Sequence, residues 1–458
     1  MTAPATRREP DAGVTLLAIG DVHLGTQPGS VPEDLADYGI DGRALTPEAA
    51  LGAAVKRAID ERVDAVLFAG DVVESTNARF EAIRPLEAAV RNLSKAGIPA
   101  LAVVGNHDVE ALPRLASLIE GLTILGQGGK WQSYVIEKDG KPALEVVGWS
   151  FPERRVMTSP VAELLRSRVV SARSGLPRIG LLHGDLGASG GHYAPFSRAE
   201  LDAAGFDAWL LGHIHRPSLG RGSTPGSVGP CGYLGSLVGL DPSETGAHGP
   251  WLVQVAGAGR VHADQLPMAP LRWERIDVQV DETTTADDVG DRLLDAVERT
   301  GRSIRESGSM PRALGVRAQL VGASRHYDAI ASQIAAGSWN SIRRVVNETL
   351  VFVNRVSNGL DLFVDIEEIS RGNDPPALLA RKLLALRGGS HGRQELVDAA
   401  RRELRSVAEH PRWAPVREMR EAKEPLSDEA LENLIEEATK ASLHALLAQR
   451  DEAGDAST

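Results

Sequence analysis

The chain has a single cysteine, Cys231, among 458 residues. An intramolecular disulfide is therefore impossible, and a cytoplasmic setting is favoured over an oxidising, extracellular one. No apolar run approaches the roughly 18 residues that suggest a membrane span, so no membrane association is expected. The opening MTAPATRREPDAG has proline and arginine but no apolar segment, and it reads as a loose tail over residues 1–12, not as a secretory signal. A basic excess is also missing: the formal net charge is -12, whereas a nucleic-acid binder usually carries a basic balance. Any polyanion would have to be met by local arginines and bound cations. FPERRVMTSPVAELLRSRVVSARSGLPR is one such patch, with Arg154, Arg155, Arg166, Arg168, Arg173 and Arg178, although a solvated helix face explains it as well. There is no G-x-x-x-x-G-K-[ST], so any ATP-driven step belongs to another polypeptide.

What is present is the composition of a soluble globular protein, 42% hydrophobic and 24% charged, on a chain long enough for two or three domains. From about residue 13 to 270, short β-branched runs alternate with helix-like segments. That is the pattern of an α/β sandwich whose strands are buried on both faces. TPEAALGAAVKRAIDERV reads as one of its helices, with Thr46 as N-cap and Pro47 at the first helical position. From 271 to about 370 the character changes. RWERIDVQV, a helix from about Thr285 to Glu306, the strand ALGVRAQLVG, a helix through AIASQIAAGSWNSIRRVV and the strand LVFVNRV predict a compact βαβαβ unit. RGNDPP then breaks the chain like a linker. Over the remainder of 371–458, ALLARKLLALR, QELVDAARRELRSVAEH and SDEALENLIEEATKASLHALLAQR repeat apolar residues at helical spacing, and these faces need a partner in this chain or another.

Five of the apolar runs end alike. VTLLAIGDVH, VDAVLFAGD, IPALAVVGNHD, RIGLLHGD and FDAWLLGHIH each pass from aliphatic residues straight into Gly, Asp, Asn or His. Ligands of open α/β sheets bind beyond the carboxyl ends of the strands, so five such ends can assemble one polar cluster. A single Gly-Asp at a strand end is usually a turn, but five coincidences are a different matter. The cluster would hold Asp21, His23, Asp71, Asn106, His107, Asp108, His183, His213 and His215. In an extended chain His213 and His215 point to the same side. Imidazoles and carboxylates with one amide oxygen and no thiolate suit manganese, iron or zinc. The donors are too many for one ion. Two ions roughly 3.5–4 Å apart, sharing a carboxylate, would use them all and clamp both oxygens of a phosphoryl displacement.

The ordered set D-x-H, G-D, G-N-H-D, H-G and G-H-x-H resembles the calcineurin-like metallophosphoesterase superfamily. GDVHLGT, AGDVVEST and GNHDV are similar to SbcD-type DNA repair nucleases. GGHYAPFSRAELDAAGFDAWLLGHIHRP and YLGSLVGLDPSETGAHGPWLVQV resemble the YhaO-like bacterial branch. The resemblance implies a four-layer α/β/β/α sandwich over 13–270, a smaller α/β cap domain over 271–370 that helps present DNA, and C-terminal helices that bind a coiled-coil ATPase of the SbcC type. It also implies a homodimer. In the site, Asp21, His23 and His215 would hold one metal, Asn106, His183 and His213 the other, and Asp71 would bridge them. His107 is left as a non-ligand, a proton donor to the leaving alkoxide or a stabiliser of the transition state, with Asp108 orienting its ring. The cations, typically manganese in this family, would lower the pKa of attacking water. The implied activity is a DNA nuclease.

Two other readings stand beside it. A phosphoesterase acting on a phosphoprotein, nucleotide or other small phosphoester would use the same metals, and the net acidity favours it mildly. A scaffold that has lost catalysis would not need the intact donor set. Gly187-Ala188-Ser189-Gly190-Gly191 matches the nucleophile elbow G-x-S-x-G only formally, because it lies several residues past its strand and meets a proline. His192 reads as a surface-loop histidine. Trp149, Trp209, Trp251 and Trp273 fall inside apolar strands and are expected in the core.

Overall fold

The computed structural model describes residues 13–74, 82–167, 175–187, 190–220, 229–388, 391–409 and 427–455. Strands β1 (Val14–Ile19), β2 (Ala65–Phe68), β3 (Ala100–Ala102) and β4 (Leu122–Ile124) pair in parallel in that order. Their crossovers carry helices α1 (Pro47–Glu61), α2 (Ile83–Lys95) and α3 (Leu112–Leu118). Every residue of β2 and β3 is buried, which is why these runs show no polar alternation. Helix α1 starts where its proline puts it. Thr46 occupies the N-cap, but its hydroxyl donates to the Arg43 carbonyl at 3.0 Å and caps no helical N–H, so the expected side-chain cap is not made.

A second sheet holds β5 (Trp131–Lys138), β6 (Lys141–Trp149), β7 (Arg178–His183), β8 (Ala208–Gly212) and β9 (Cys231–Tyr233), with β5 antiparallel and the rest parallel. Helices α4 (Pro160–Ser167) and α5 (Arg198–Ala204) accompany it; α5 opens with a capping box between Ser197 and Glu200. β10 (Trp251–Gly257) and β11 (Arg260–Gln265) return antiparallel to extend the first sheet beside β1.

Successive side chains of a strand face opposite ways, and the packing follows that alternation. Leu16, Leu67 and Leu101 of the first sheet meet Val146, Ile179, Leu181 and Leu210 of the second. Their neighbours Leu17, Val66 and Phe68 turn outward onto Leu51, Val55, Leu86 and Val90 of α1 and α2. On the far side, Leu182, Trp209 and Leu211 pack on Val161, Leu164 and Leu201 of α4 and α5. The layers therefore run helix, sheet, sheet, helix. Trp149, Trp209, Trp251 and Trp273 are all buried.

Beyond residue 270 come β12 (Leu271–Val280), α6 (Ala286–Glu306), β13 (Ala313–Ser324), α7 (Tyr327–Ala336), β14 (Arg343–Val346) and β15 (Thr349–Leu362), forming a sheet in the order β12-β13-β15-β14. The helix expected to continue through Val346 ends at Ala336. Residues Arg343–Val346 form instead one arm of a hairpin with β15, turned by Asn347 and Glu348, both at positive φ (48° and 72°). Paired valines before a two-residue turn favour strand over helix.

Helices α8 (Ile366–Ser370), α9 (Pro375–Arg387), α10 (His391–Glu409) and α11 (Asp428–Asp455) follow among the described residues. RGNDPP is no extended spacer: Asp374 caps α9, accepting from the Ala377 N–H at 3.1 Å, and the two prolines form its first turn. Leu383, Leu386, Val397 and Leu431 make the core of these helices. By compactness the chain divides into two units. One holds the described residues up to Val278 with Gly290–Leu320 and Gln333–Asn358; the other holds Gln279–Val289, Val321–Ser332 and the described residues from Gly359 onward. Among the described residues no helix is long and apolar enough to cross a membrane.

Candidate metal centre

The loops after β1, β2, β3, β7 and β8 meet at one end of the sandwich. Backbone amides set them against each other: Val22 and His23 N–H both donate to the Asp71 carbonyl at 3.0 Å. The His213 N–H donates to the Asp21 carboxylate at 3.0 Å and the His107 N–H to that of Asp71 at 2.9 Å. The turns are tight enough to force three non-glycine residues to positive φ: Asp71 at 48°, His23 at 53° and His213 at 108°. Such backbone is tolerated where surrounding structure over-determines it. The preceding glycines are steric necessities. Gly70 sits at φ 90°, and a Cβ there would lie 2.6 Å from His183 Nδ1; a Cβ on Gly105 would overlap the Asp71 carboxylate.

Asp21, His23 and His215 form one group, each offering a donor atom within 4.8 Å of the others, and Asp71, His183 and His213 form a second on the same criterion. Asn106 joins the second group, its Oδ1 3.0 Å from His183 Nε2. Asp71 Oδ2 faces both groups, 3.3 Å from His183 Nε2 and 4.0 Å from His23 Nε2. Asp21, Asp71 and His183 are at most 2% exposed.

The donor chemistry calls for positive charge. His183 Nδ1 lies 3.0 Å from the Ala69 carbonyl, so in the neutral ring Nε2 would aim its lone pair at the oxygens of Asn106 and Asp71. His23 Nε2 and His215 Nε2 face each other at 3.1 Å, another pairing that needs a proton or a cation. Burial by itself would lower the pKa of His183, but the Asp71 carboxylate overrides it and pushes the ring up to about 9. Burial disfavours the Asp71 anion, yet the charge and hydrogen bond of His183 hold it well below the usual range. His23 is raised in the same way, burial being outweighed by Glu74, Asp71 and Asp21. Nitrogen and oxygen donors in two adjoining groups, with no thiolate, fit a dinuclear metal site.

His107 stands at the rim, its side chain 47% exposed, with Nδ1 3.0 Å from Glu74 Oε2. The same oxygen lies 3.4 Å from His23 Nδ1. The contact expected between Asp108 and the His107 ring is not made. Asp108 is fully buried, and its two oxygens accept from the Gly105 and Val72 N–H groups at 2.7 Å each, tying the β2 and β3 loops together. Burial, with the Asp71 charge nearby, pushes its carboxyl up to about 7. Glu74 takes the place beside His107. The hydrogen bond from His23 outweighs its partial burial and, with the His107 interactions, brings Glu74 down to about 2.

Three carboxylates at the site escaped the sequence reading: Glu74, Asp185, whose Oδ1 is 3.0 Å from His213 Nε2, and Glu244, whose Oε1 is 2.7 Å from His215 Nδ1. Glu74 and Asp185 follow Asp71 and His183 so closely that the strand-end pattern contained them. Glu244 lies 29 residues past its histidine, in a turn with no local signal. His192 is exposed. Arg178 belongs to β7, paired with buried Glu145 at 3.0 Å and stacked over Phe206, so it is structural. Arg168, Arg173, Ala188 and Ser189 lie outside the described residues, as does the 1–12 tail.

The chain is similar in sequence to known proteins. The family model for calcineurin-like phosphoesterases matches residues 14–217. The chain is 28% identical over 274 residues to YhaO of Bacillus subtilis, an uncharacterized metallophosphoesterase, covering 56% of this chain and 60% of that protein. It is 28% identical over 308 residues to the DNA double-strand break repair protein Mre11 of Aeropyrum pernix, covering 65% of this chain and 71% of that one. Among solved structures, a dimetal phosphatase from Danio rerio aligns with a TM-score of 0.34 at 14% identity, covering 55% of this chain and 98% of that one. Over residues 14–217, which hold Asp21 to His215, the chain is thus similar to calcineurin-like phosphoesterases, and it spans about 60% of the length of its Bacillus relative.

Proposed function

We propose that this chain is a two-metal DNA nuclease that hydrolyses phosphodiester bonds in DNA repair, working in the cytoplasm as the nuclease subunit beside a coiled-coil ATPase of the SbcC type. The observation that carries the hydrolytic part is one carboxylate, Asp71, shared between two clusters of metal-type donors with an exposed imidazole, His107, at their edge. Similarity to proteins named for double-strand break repair supports the choice of DNA.

Cations held by Asp21, His23 and His215, and by Asn106, His183 and His213, with Asp71 between, would supply Lewis acidity and water of lowered pKa. The chain's own residues do the rest. Glu74 engages His107 Nδ1 and leaves Nε2 to face the substrate, where it donates a proton to the departing sugar oxygen as the P–O bond breaks. Asp108 keeps the β2 and β3 loops in register so that Asp71 and His107 hold their places. Manganese is the metal we assign, with iron and zinc as the alternatives that the donor set also accommodates. Residues 271–370 would act as the cap presenting DNA and the helices after them as the ATPase-binding element, in a homodimer.

A small-phosphoester hydrolase is the second reading, favoured by the net charge of -12. Cleavage of an end-labelled DNA duplex in manganese by the wild type and by His107→Ala separates the two. The nuclease cuts the duplex and the variant does not. An intact duplex together with rapid hydrolysis of nucleotides or aryl phosphates would instead establish the second reading, and no hydrolysis of either would leave only a non-catalytic scaffold.

A further inference from the structure

The two strand-end histidines are each held by a carboxylate, but on opposite ring nitrogens. Asp185 faces Nε2 of His213 at 3.0 Å, and Glu244 faces Nδ1 of His215 at 2.7 Å. We propose that Asp185 and Glu244 are positioning residues that fix opposite tautomers on this pair, so that His213 offers Nδ1 to one cation and His215 offers Nε2 to the other. This rests on the dinuclear reading of the site.

A neutral imidazole has one N–H and one lone pair. The nitrogen that donates to a carboxylate cannot ligate, so each acid selects the nitrogen left for a metal. For His215 the choice is visible: Nε2 points at His23 Nε2, 3.1 Å away, inside the group that includes Asp21. For His213, with Nε2 taken by Asp185, Nδ1 remains for the group of Asp71 and His183. His213 sits at φ 108°, so the pair departs from the regular strand in which residues i and i+2 project alike.

Both acids are anchored as such a role requires. Glu244 Oε2 accepts from the Ser236 hydroxyl at 3.1 Å and from the Leu240 N–H at 3.0 Å. Ser236 N–H donates to the His215 carbonyl at 2.9 Å, and its Oγ lies 3.0 Å from Nδ1 of His248. His248, only 1% exposed, reaches back with Nε2 to the Glu244 carbonyl at 3.2 Å. The turn carrying Glu244 is thus closed around the metal-facing histidine, which gives a buried histidine with no catalytic part a reason to be there. Asp185 is fixed through its backbone, N–H to the Tyr193 carbonyl and carbonyl to the Phe196 N–H, both at 2.9 Å, while the Tyr193 ring lies 5.1 Å from that of His213.

The test uses the full chain loaded with zinc, which is diamagnetic, and long-range proton–nitrogen correlation of ¹⁵N-histidine. Expected in the wild type is His215 protonated at Nδ1 and metal-shifted at Nε2, with His213 the reverse. Titration against a chelator then reads each ion separately: Glu244→Ala should weaken one ion by about 10–100-fold and Asp185→Ala the other by a similar factor. Glu244→Gln, which keeps an acceptor oxygen, should recover part of the loss and guards against a misfolded alanine variant. Two ions bound through the same nitrogen of both rings, or Glu244→Gln and Glu244→Ala that both hold two ions as tightly as the wild type, would overturn the assignment alone. Failure of the wild type to bind two ions would overturn the dinuclear reading and this assignment with it.

Discussion

The strand ends of the sandwich and the C-terminal helices handle charge in opposite ways. At the strand ends Asp21, Asp71, Asp108 and His183 are at most 2% exposed, although burying an ion is costly unless it is paired and hydrogen-bonded. Among the described residues of α9, α10 and α11 no charged side chain is buried, and the core is apolar, with Leu383, Leu386, Val397 and Leu431 in one cluster and Ala377, Ala380 and Leu443 also buried. The first region accepts an unfavourable arrangement because chemistry needs converging charge. The second keeps apolar side chains inside and leaves its ion pairs at the surface. A substitution should therefore act on hydrolysis in one region and on stability without a change in hydrolysis in the other.

The largest expected effect, because it strikes stability and metal binding together, is that of Gly105→Ala. Its Cβ would occupy the place of the Asp71 carboxylate, so backbone and acid must both shift. Such overpacking costs about 1–3 kcal/mol or more, and metal binding should be lost with it, read by urea unfolding and metal content. A variant that binds two ions normally would show that the crowding of the strand ends is not what forms the site. Next comes His107→Ala. This ring is half-exposed and belongs to neither group that Asp71 faces, although it forms a third donor group with His23 and Glu74. Its removal takes away a proton donor and not a ligand, so the melting temperature and metal content should stay unchanged while kcat falls about 10²–10⁴-fold. Loss of a metal ion in that variant would make His107 a ligand, and the proton-donor role would go to another group.

The comparison also explains what could be read from the sequence. A run of aliphatics passing directly into Asp or His at the end of a buried strand is visible in the chain, because such a strand has no polar alternation to hide it. That is why Asp21, Asp71, His183 and His213 stood out. Asp108 was visible too, but not its work: which oxygen accepts from Gly105 and which from Val72 depends on two loops meeting in space. Glu244 could not have been linked to His215, since only the closure of the 236–248 turn brings it there. In the later domain the sequence of β14 reads as helix because RRVV fits either period over so short a length. The C-terminal helices were legible as helices, their apolar spacing being strong. That Leu383, Val397 and Leu431 come together follows from tertiary packing, which spacing does not encode.

Leu383→Ala probes the second half of the comparison. With a core this small, deleting a fully buried leucine should cost about 2–5 kcal/mol. The loss should show as earlier unfolding and reduced helicity in circular dichroism. Hydrolysis of a small phosphodiester at 25 °C should not change. A fall in that rate matching the loss of helicity would mean the helices support the catalytic end directly.

The smallest effect belongs to Arg387→Ala. Arg387 reaches Glu436 at 2.6 Å, joined by Lys440 at 3.2 Å, but the side chains are 45% and 29% exposed for the first pair. Water and salt screen such a pair, so the expected loss is about 0–1 kcal/mol. Its pH dependence has a definite sign. The Arg387 hydrogen bond, against slight burial and with Lys440 helping, holds Glu436 below its ordinary 4.5. A carboxyl with a depressed folded-state pKa contributes stability that is present above its ordinary value and disappears as pH falls through the lowered one. Wild type and variant should therefore differ most near neutral pH in low salt, and converge both in acid below 4.5 and in roughly 1 M salt. A difference that survives high salt would mean that Arg387 acts through the packing of its long alkyl stem against α11, and the surface pair would then belong with the core of this unit.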